Sequence, residues 1–297
     1  MGKLKISIVI PVYQEKQYLS ACLDSLLDQD FEEDYNILLI ETGSDDGSDQ
    51  VCEEYQRRYP EKVFWYHYPV NRGISFARNL GIVHSSAEYI TFVDGDDTVS
   101  KDYLSSLYEK TKEQDYVIVS GNYDVVYEDG KTKKAKSFHY HGSGDKVLVK
   151  FFSGKEKYFH YTCWARLYKR SFLLVNHLSF PMDVSIFEDA IFLAEAFASA
   201  PLVCTFKKPI YHYRKHASST LGREKDLLLP ALKAYERAKS QIAFRNPELA
   251  RKLYSRISYR LRRRLKKEAK RTALALHKET RLLLADAQKQ IDKILGE

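Results

Sequence analysis

Three carboxylates fall within four residues at Asp94-Gly95-Asp96-Asp97, delivered by the apolar run Tyr89 to Val93. Carboxylates this close repel one another unless a cation lies between them. A hard divalent ion such as Mg²⁺ or Mn²⁺ is commonly held by one or two carboxylates together with substrate phosphates. Gly95 lets the backbone turn tightly and approach a ligand. Asp and Gly are also ordinary turn formers, so the surrounding residues decide between a solvated acidic turn and a site for a phosphorylated metabolite. A second pair, Glu188-Asp189, opens an apolar pattern through Ile191, Phe192, Ala194 and Ala198. At a helix start such carboxylates serve as dipole partners or as a general base.

The elements that would position these groups are legible in the first hundred residues. Lys5 to Val12 reads as a buried strand, Ile6-Ser7-Ile8-Val9-Ile10, ended by Pro11, and Leu19, Cys22, Leu23, Leu26 and Leu27 repeat at helical spacing. Tyr35 to Ile40 reads as a second strand running into Glu41-Thr42-Gly43-Ser44-Asp45-Asp46-Gly47-Ser48, and Val51, Tyr55 and Tyr59 mark a helix. Strand Val63 to Tyr68, helix Ile74 to His84 and strand Tyr89 to Val93 follow. Strand and helix in alternation predict a parallel sheet with helices on both faces, with ligands outside the carboxyl ends of the strands. From Ser120 the pattern changes to an antiparallel hairpin, Asn122 to Tyr127 and Ala135 to Tyr140, around Glu128-Asp129-Gly130.

Composition narrows the class. The 297 residues suffice for one large or two modest domains with a full core. Four widely spaced cysteines, Cys22, Cys52, Cys163 and Cys204, show no CxxC spacing, which argues against a zinc site or disulfide framework and fits core thiols in a reducing cytosol. The apolar run after Lys3 and Lys5 stops at Pro11 without a small-residue cleavage site, so no signal peptide is expected, and no stretch approaches a bilayer span. A soluble or peripheral protein is expected.

The residues resemble the inverting glycosyltransferases of family 2, which have the GT-A fold. Matching pieces are Ser7-Ile8-Val9-Ile10-Pro11-Val12-Tyr13, Gly43 to Ser48, Asn71-Arg72-Gly73 with Ala77-Arg78-Asn79-Leu80-Gly81, and Asp94-Gly95-Asp96-Asp97. The likeness continues through Leu167-Tyr168-Lys169-Arg170, Glu188-Asp189 and Tyr211-His212-Tyr213-Arg214, to about residue 221. It implies a nucleotide-binding half over 1–120 and an acceptor-binding half over 121–221. It further implies that Pro11, Val12, Tyr13, Glu15, Glu41, Asn71, Gly73, Arg78, Asp94 and Gly95 meet a nucleotide-sugar donor, with UDP-sugar as the expected class. Asp96, with Asp94, would hold Mn²⁺ or Mg²⁺, and His212, Arg214 and Ser219 would close over the diphosphate. Asp189 would be the general base with Glu188 its neighbour in the acceptor pocket, and Trp164 would contact a sugar. At the end of the second strand the family usually has two aspartates, one of which contacts the uracil ring; here Glu41-Thr42 stands in their place.

The formal net charge of +7 resides in the tail: residues 222–297 carry 21 Lys/Arg against 9 Asp/Glu. Leu249, Leu253, Ile257, Leu261 and Leu265 step along one face of a helical stretch whose residues 251–271 hold 11 basic side chains. Such a stretch suits an anionic membrane surface, a homo-oligomer contact or packing on the catalytic domain, and the first would suit a polyprenyl-linked acceptor. A nucleic-acid-binding protein explains the tail but leaves Asp94 to Asp97 unexplained, so nucleic acid is not the expected partner. A catalytically silent sugar-nucleotide binder is the other alternative, prompted by Glu41-Thr42.

Overall fold

The computed structural model describes residues 4–152, 160–184 and 186–216, with isolated residues at 237–249 and Lys289. The chain opens with β1 (Ile6–Val12), α1 (Lys16–Leu27), β2 (Tyr35–Thr42), α2 (Ser48–Arg58), β3 (Val63–Tyr68), α3 (Ile74–His84) and β4 (Tyr89–Phe92). It continues through β5 (Thr98–Val99), α4 (Tyr103–Glu113), β6 (Ile118–Tyr127), β7 (Thr132–Lys134), β8 (Tyr140–Gly142) and α5 (Gly144–Phe152). β9 (Arg166–Lys169), α6 (Arg170–Val175), α7 (Glu188–Ser199) and β10 (Val203–Lys215) complete the described elements.

One sheet runs in the order β3-β2-β1-β4-β9-β6-β10-β5, with β7 on β6 and β8 on β10. Its first four strands are parallel, as the alternating strand and helix pattern predicts, and they bring the ends of β1, β2, β3 and β4 to one edge. β9 then enters antiparallel between β4 and β6, so the second half of the sheet is mixed rather than parallel. The sheet passes through residue 120 without a break, because β6 spans it.

Alternation along β1 builds two cores at once, since successive side chains point to opposite faces. Ile6, Ile8 and Ile10 join Leu19, Leu23, Ile37 and Leu39 on the face covered by α1 and α2. Val9 turns the other way, to Ile82, Phe92, Tyr168, Phe192 and Phe197 beneath α3 and α7. α3 packs so closely on β1 that a Cβ at Gly81 would lie 2.1 Å from Val9 Cγ1. All four cysteines are buried and free, as expected of core thiols.

The expected hairpin differs in its return strand. Gly130 donates to the Tyr127 carbonyl at 2.9 Å and Tyr127 donates to the Lys131 carbonyl at 2.9 Å, so the turn closes early and Thr132 pairs with Val126. The return strand is therefore β7, while Tyr140–Gly142 pairs with β10 instead. Ile242 and Leu249, within the stretch read as a tail, are buried in the second core. The rest of the basic stretch to residue 271, and Ser219, lie outside the described residues. Among the described residues no helix is long and apolar enough to cross a membrane.

Candidate active site

The turn after β4 is fixed by what packs around it. Asp97 is fully buried, and its carboxylate accepts the Tyr211 hydroxyl at 2.6 Å and the Arg214 backbone N–H at 2.7 Å. The same Tyr211 hydroxyl oxygen accepts the Asp94 backbone N–H at 3.2 Å. β10 is thereby bolted to both ends of the Asp94–Asp97 turn. Burial, with Asp96 and Asp94 nearby, pushes the Asp97 carboxyl well up, partly offset by those two donors. Asp97 is thus a structural post, and the acidic groups left facing the site are Asp94 and Asp96. A side chain at position 95 would press on Glu15, whose Cγ is 3.3 Å from where a Cβ would stand, which explains the glycine.

Arg78 joins this turn to the second carboxylate pair. Its guanidinium is almost wholly buried, with Nη2 donating to Asp94 Oδ1 at 2.8 Å and Nη1 to Glu188 Oε1 at 2.9 Å and Asp189 Oδ1 at 2.6 Å. Burial opposes the Arg78 charge, but Asp189, Cys163, Asp94 and Glu188 more than offset it and push its pKa up. Asp94 and Glu188-Asp189 lie about a hundred residues apart in sequence, and the fold brings them onto one cation. Arg78, expected at the nucleotide, organises these carboxylates.

The pair sits where local backbone and dipole favour it. Phe187 adopts a left-handed conformation, φ 69°, immediately before α7, and Glu188 and Asp189 occupy the helix's first turn, where the dipole favours negative charge. Asp189 Oδ2 accepts the Cys163 backbone N–H at 3.0 Å, so both of its oxygens are oriented. Burial and neighbouring Asp189 push Glu188 up to about 7, with Arg78 opposing. Burial likewise lifts Asp94 to about 6, against the pull of Arg78. One buried arginine among this many carboxylates leaves the site short of positive charge.

The far end of β10 supplies further groups. Arg214 Nε donates to the Asp96 backbone carbonyl at 2.9 Å, and its guanidinium lies 5.1 Å from the Tyr18 ring centroid. His216, which sequence reasoning missed, places Nε2 2.8 Å from Asp96 Oδ2 and is itself buried, its ring 4.8 Å from Tyr18. His212 instead sits in the β10 ladder opposite Thr98 and Asp124. The signal for His216 is absent from local pattern, because its partner lies 120 residues away.

The first loops clasp one another. Ser44 Oγ accepts the Gln14 N–H, Ser48 Oγ the Glu15 N–H at 2.8 Å, and Asp46 the Lys16 N–H at 3.0 Å. The Gly43–Ser48 motif thus holds Gln14 to Lys16 in place, and Tyr13 is left 44% exposed at the strand ends. Pro11 and Val12 lie in register with Ile40 and Glu41 of β2. Asn71 Oδ1 accepts the Gly73 N–H at 2.8 Å in the exposed turn that opens α3. Trp164 is placed differently from its expected role. Its indole is 4% exposed, stacked on Tyr211 at 4.4 Å and 4° and near-parallel to Tyr213, so it braces β10 and leaves little ring for a sugar.

The sheet, parallel through β3-β2-β1-β4 and carrying an acidic turn after β4 with a helix-borne carboxylate pair beside it, has the arrangement of the GT-A fold. The Glycosyl transferase family 2 model matches residues 7–174, and the chain belongs to that family. It is 31% identical over 237 residues to EpsH of Bacillus subtilis, covering 78% of this chain and 67% of that one. It is 33% identical over 216 residues to the poly(ribitol-phosphate) beta-glucosyltransferase of Bacillus spizizenii, spanning 71% of this chain and 32% of that protein. The crystal structure of Staphylococcus aureus TarS 1–349 in complex with UDP-GlcNAc superposes with a TM-score of 0.79 at 18% identity, over 98% of this chain and 82% of that one. The chain spans only 30% of the related glycosyltransferase GlyA of Streptococcus pneumoniae.

Proposed function

We propose that the chain transfers a sugar from a nucleotide donor, of the UDP-sugar class, to a glycan or lipid-linked acceptor in cell-surface polysaccharide synthesis, with inversion at the anomeric carbon. The observation that carries this reading is the Arg78 junction, which holds Asp94 of the acidic turn and the Glu188-Asp189 pair on one guanidinium. The carboxylates this reading assigns to donor and acceptor thereby share one guanidinium. The TarS complex with UDP-GlcNAc and the poly(ribitol-phosphate) beta-glucosyltransferase supply the donor and acceptor classes by analogy.

Asp189 is the general base of this reading. Arg78 and the Cys163 N–H fix its carboxylate, which takes the proton of the attacking acceptor hydroxyl. Glu188 stands beside it in the acceptor pocket. A single displacement needs no covalent sugar–enzyme bond.

Among the described residues no three or more His, Cys, Asp or Glu side chains form a metal cage. A hard divalent ion that draws ligands from the donor's phosphates does not need one. Asp96 and Asp94 supply the oxygen donors, His216 a nitrogen beside Asp96, and the surplus of carboxylates over Arg78 calls for added positive charge. These residues fit Mn²⁺ or Mg²⁺, with Asp96 the principal ligand. Bound there, the ion would supply Lewis-acid stabilisation of the departing diphosphate. Arg214, anchored on the same turn, suits the diphosphate oxygens through charge-assisted hydrogen bonds. The basic stretch 249–271 would hold the enzyme at an anionic membrane surface, near a lipid-linked acceptor.

The test is UDP release from a panel of UDP-sugars with Mn²⁺ or with chelator. Slow release from at least one donor, abolished by chelator and by Asp96→Ala, is the expected result. Release unaffected by chelator overturns the metal assignment, and no binding or cleavage of any sugar nucleotide overturns the donor reading.

A further inference from the structure

Glu41 is fully buried, yet it stands at the carboxyl end of β2 in register with Val12 of β1 on one side and His67 of β3 on the other. Both carboxylate oxygens are engaged. Oε1 accepts the Ser44 backbone N–H at 2.6 Å, and Oε2 meets His67 Nδ1 at 2.5 Å. A carboxylate used in this way is not itself the group a ligand reads. His67 is, because 48% of its side chain is exposed while Glu41's is fully buried. The pair thus carries the chemistry of a buried acid out to the strand ends, where the donor's nucleotide is expected.

A carboxylate only accepts, so His67 Nδ1 carries the hydrogen of that bond, and the neutral ring then presents Nε2 as an acceptor. The Glu41 contact fixes this tautomer and the ring orientation, as buried partners do for histidines in other sites. An acceptor nitrogen favours a base edge that offers a ring N–H. The imides of uracil and the N1 position of guanine offer one. The corresponding ring nitrogens of cytosine and adenine are acceptors and would place two lone pairs face to face.

We propose that His67, oriented by Glu41, reads the nucleobase of the donor and selects bases with a ring N–H donor, uracil over the equally sized cytosine. This rests on the nucleotide-sugar reading above. His67 is a specificity residue that touches the base, and Glu41 is a positioning residue acting through it.

Calorimetric titration of the full chain with UDP and with CDP, at pH 8 with Mn²⁺, tests it. Wild type should bind UDP at least tenfold more tightly than CDP. His67→Ala should lose about tenfold in UDP affinity, the weight of one hydrogen bond, and bring the UDP:CDP ratio close to one. Glu41→Gln offers an amide N–H to Nδ1 once its oxygen serves Ser44, which moves the ring hydrogen to Nε2. That variant should shift the ratio towards CDP, an effect that mere loosening of the strand ends would not produce. If wild type binds UDP and His67→Ala keeps both its affinity and the ratio, His67 does not read the base, and the donor reading survives. If wild type binds neither nucleotide, the donor reading itself falls and this inference with it.

Discussion

Glu188 shows how the site is paid for in stability. Burial and Asp189 push its carboxyl from 4.5 up to about 7, so between those values the folded chain holds a proton that the unfolded chain has released. The folded state then binds more protons, and stability falls as pH rises through that window. For a nearly buried group the loss is on the order of 2–3 kcal/mol. Glu188→Gln removes the titration, so urea midpoints of the metal-free variant should change less between pH 5 and 7.5 than those of wild type. Parallel curves would show that Glu188 does not titrate differently on folding. The roles of individual residues were only partly legible in sequence. Asp94 and Asp96 are marked by their spacing, and Glu188-Asp189 by the helix they open. His216 and His67 carried no mark, since each gains meaning from a partner on a separate segment, 120 and 26 residues away. Arg78 was legible as a motif residue, but its task as a bridge appears only once α3 and α7 are packed.

At the scale of elements, the site depends on how closely α3 lies on β1. Arg78 projects from α3, and Gly81, one turn on, sets the helix's height above Val9. Gly81→Ala would force a methyl to 2.1 Å from Val9 Cγ1, so the helix must lift. The cost should be about 1–3 kcal/mol by chemical denaturation, typical of overpacking, and Val9→Ala in the same chain should recover part of it. Failure of that rescue would mean the strain lies elsewhere. Periodicity located these elements well: α3 spans the residues expected because it buries one regular face, and β3 does so through its aromatic and β-branched run, packed against both cores. It failed for the strand after Gly130, where turn hydrogen bonds rather than hydrophobic pattern set the register.

At the scale of the molecule, composition separates an acidic front from a basic tail, yet Ile242 and Leu249 are buried in the second core with Phe192, Phe197 and Val147. These two residues of the stretch that reads as an appendage therefore belong to the core. Ile242→Ala and Leu249→Ala should each lower stability by about 2–4 kcal/mol, as buried aliphatic truncations do, with thermal unfolding staying a single transition. A change within 0.5 kcal/mol for both would place these residues outside the cooperative core. A basic, leucine-rich composition announces a helix but says nothing of which surface it covers, so this packing could not be read from sequence.

The central claim is that Asp189, held by Arg78, deprotonates the acceptor. Its most direct test is UDP release by wild type and Asp189→Asn with the same donor, alongside UDP affinity. The account predicts unchanged affinity and a rate lowered about 10²–10⁴-fold, the usual worth of a positioned base. A variant that turns over at the wild-type rate would contradict it.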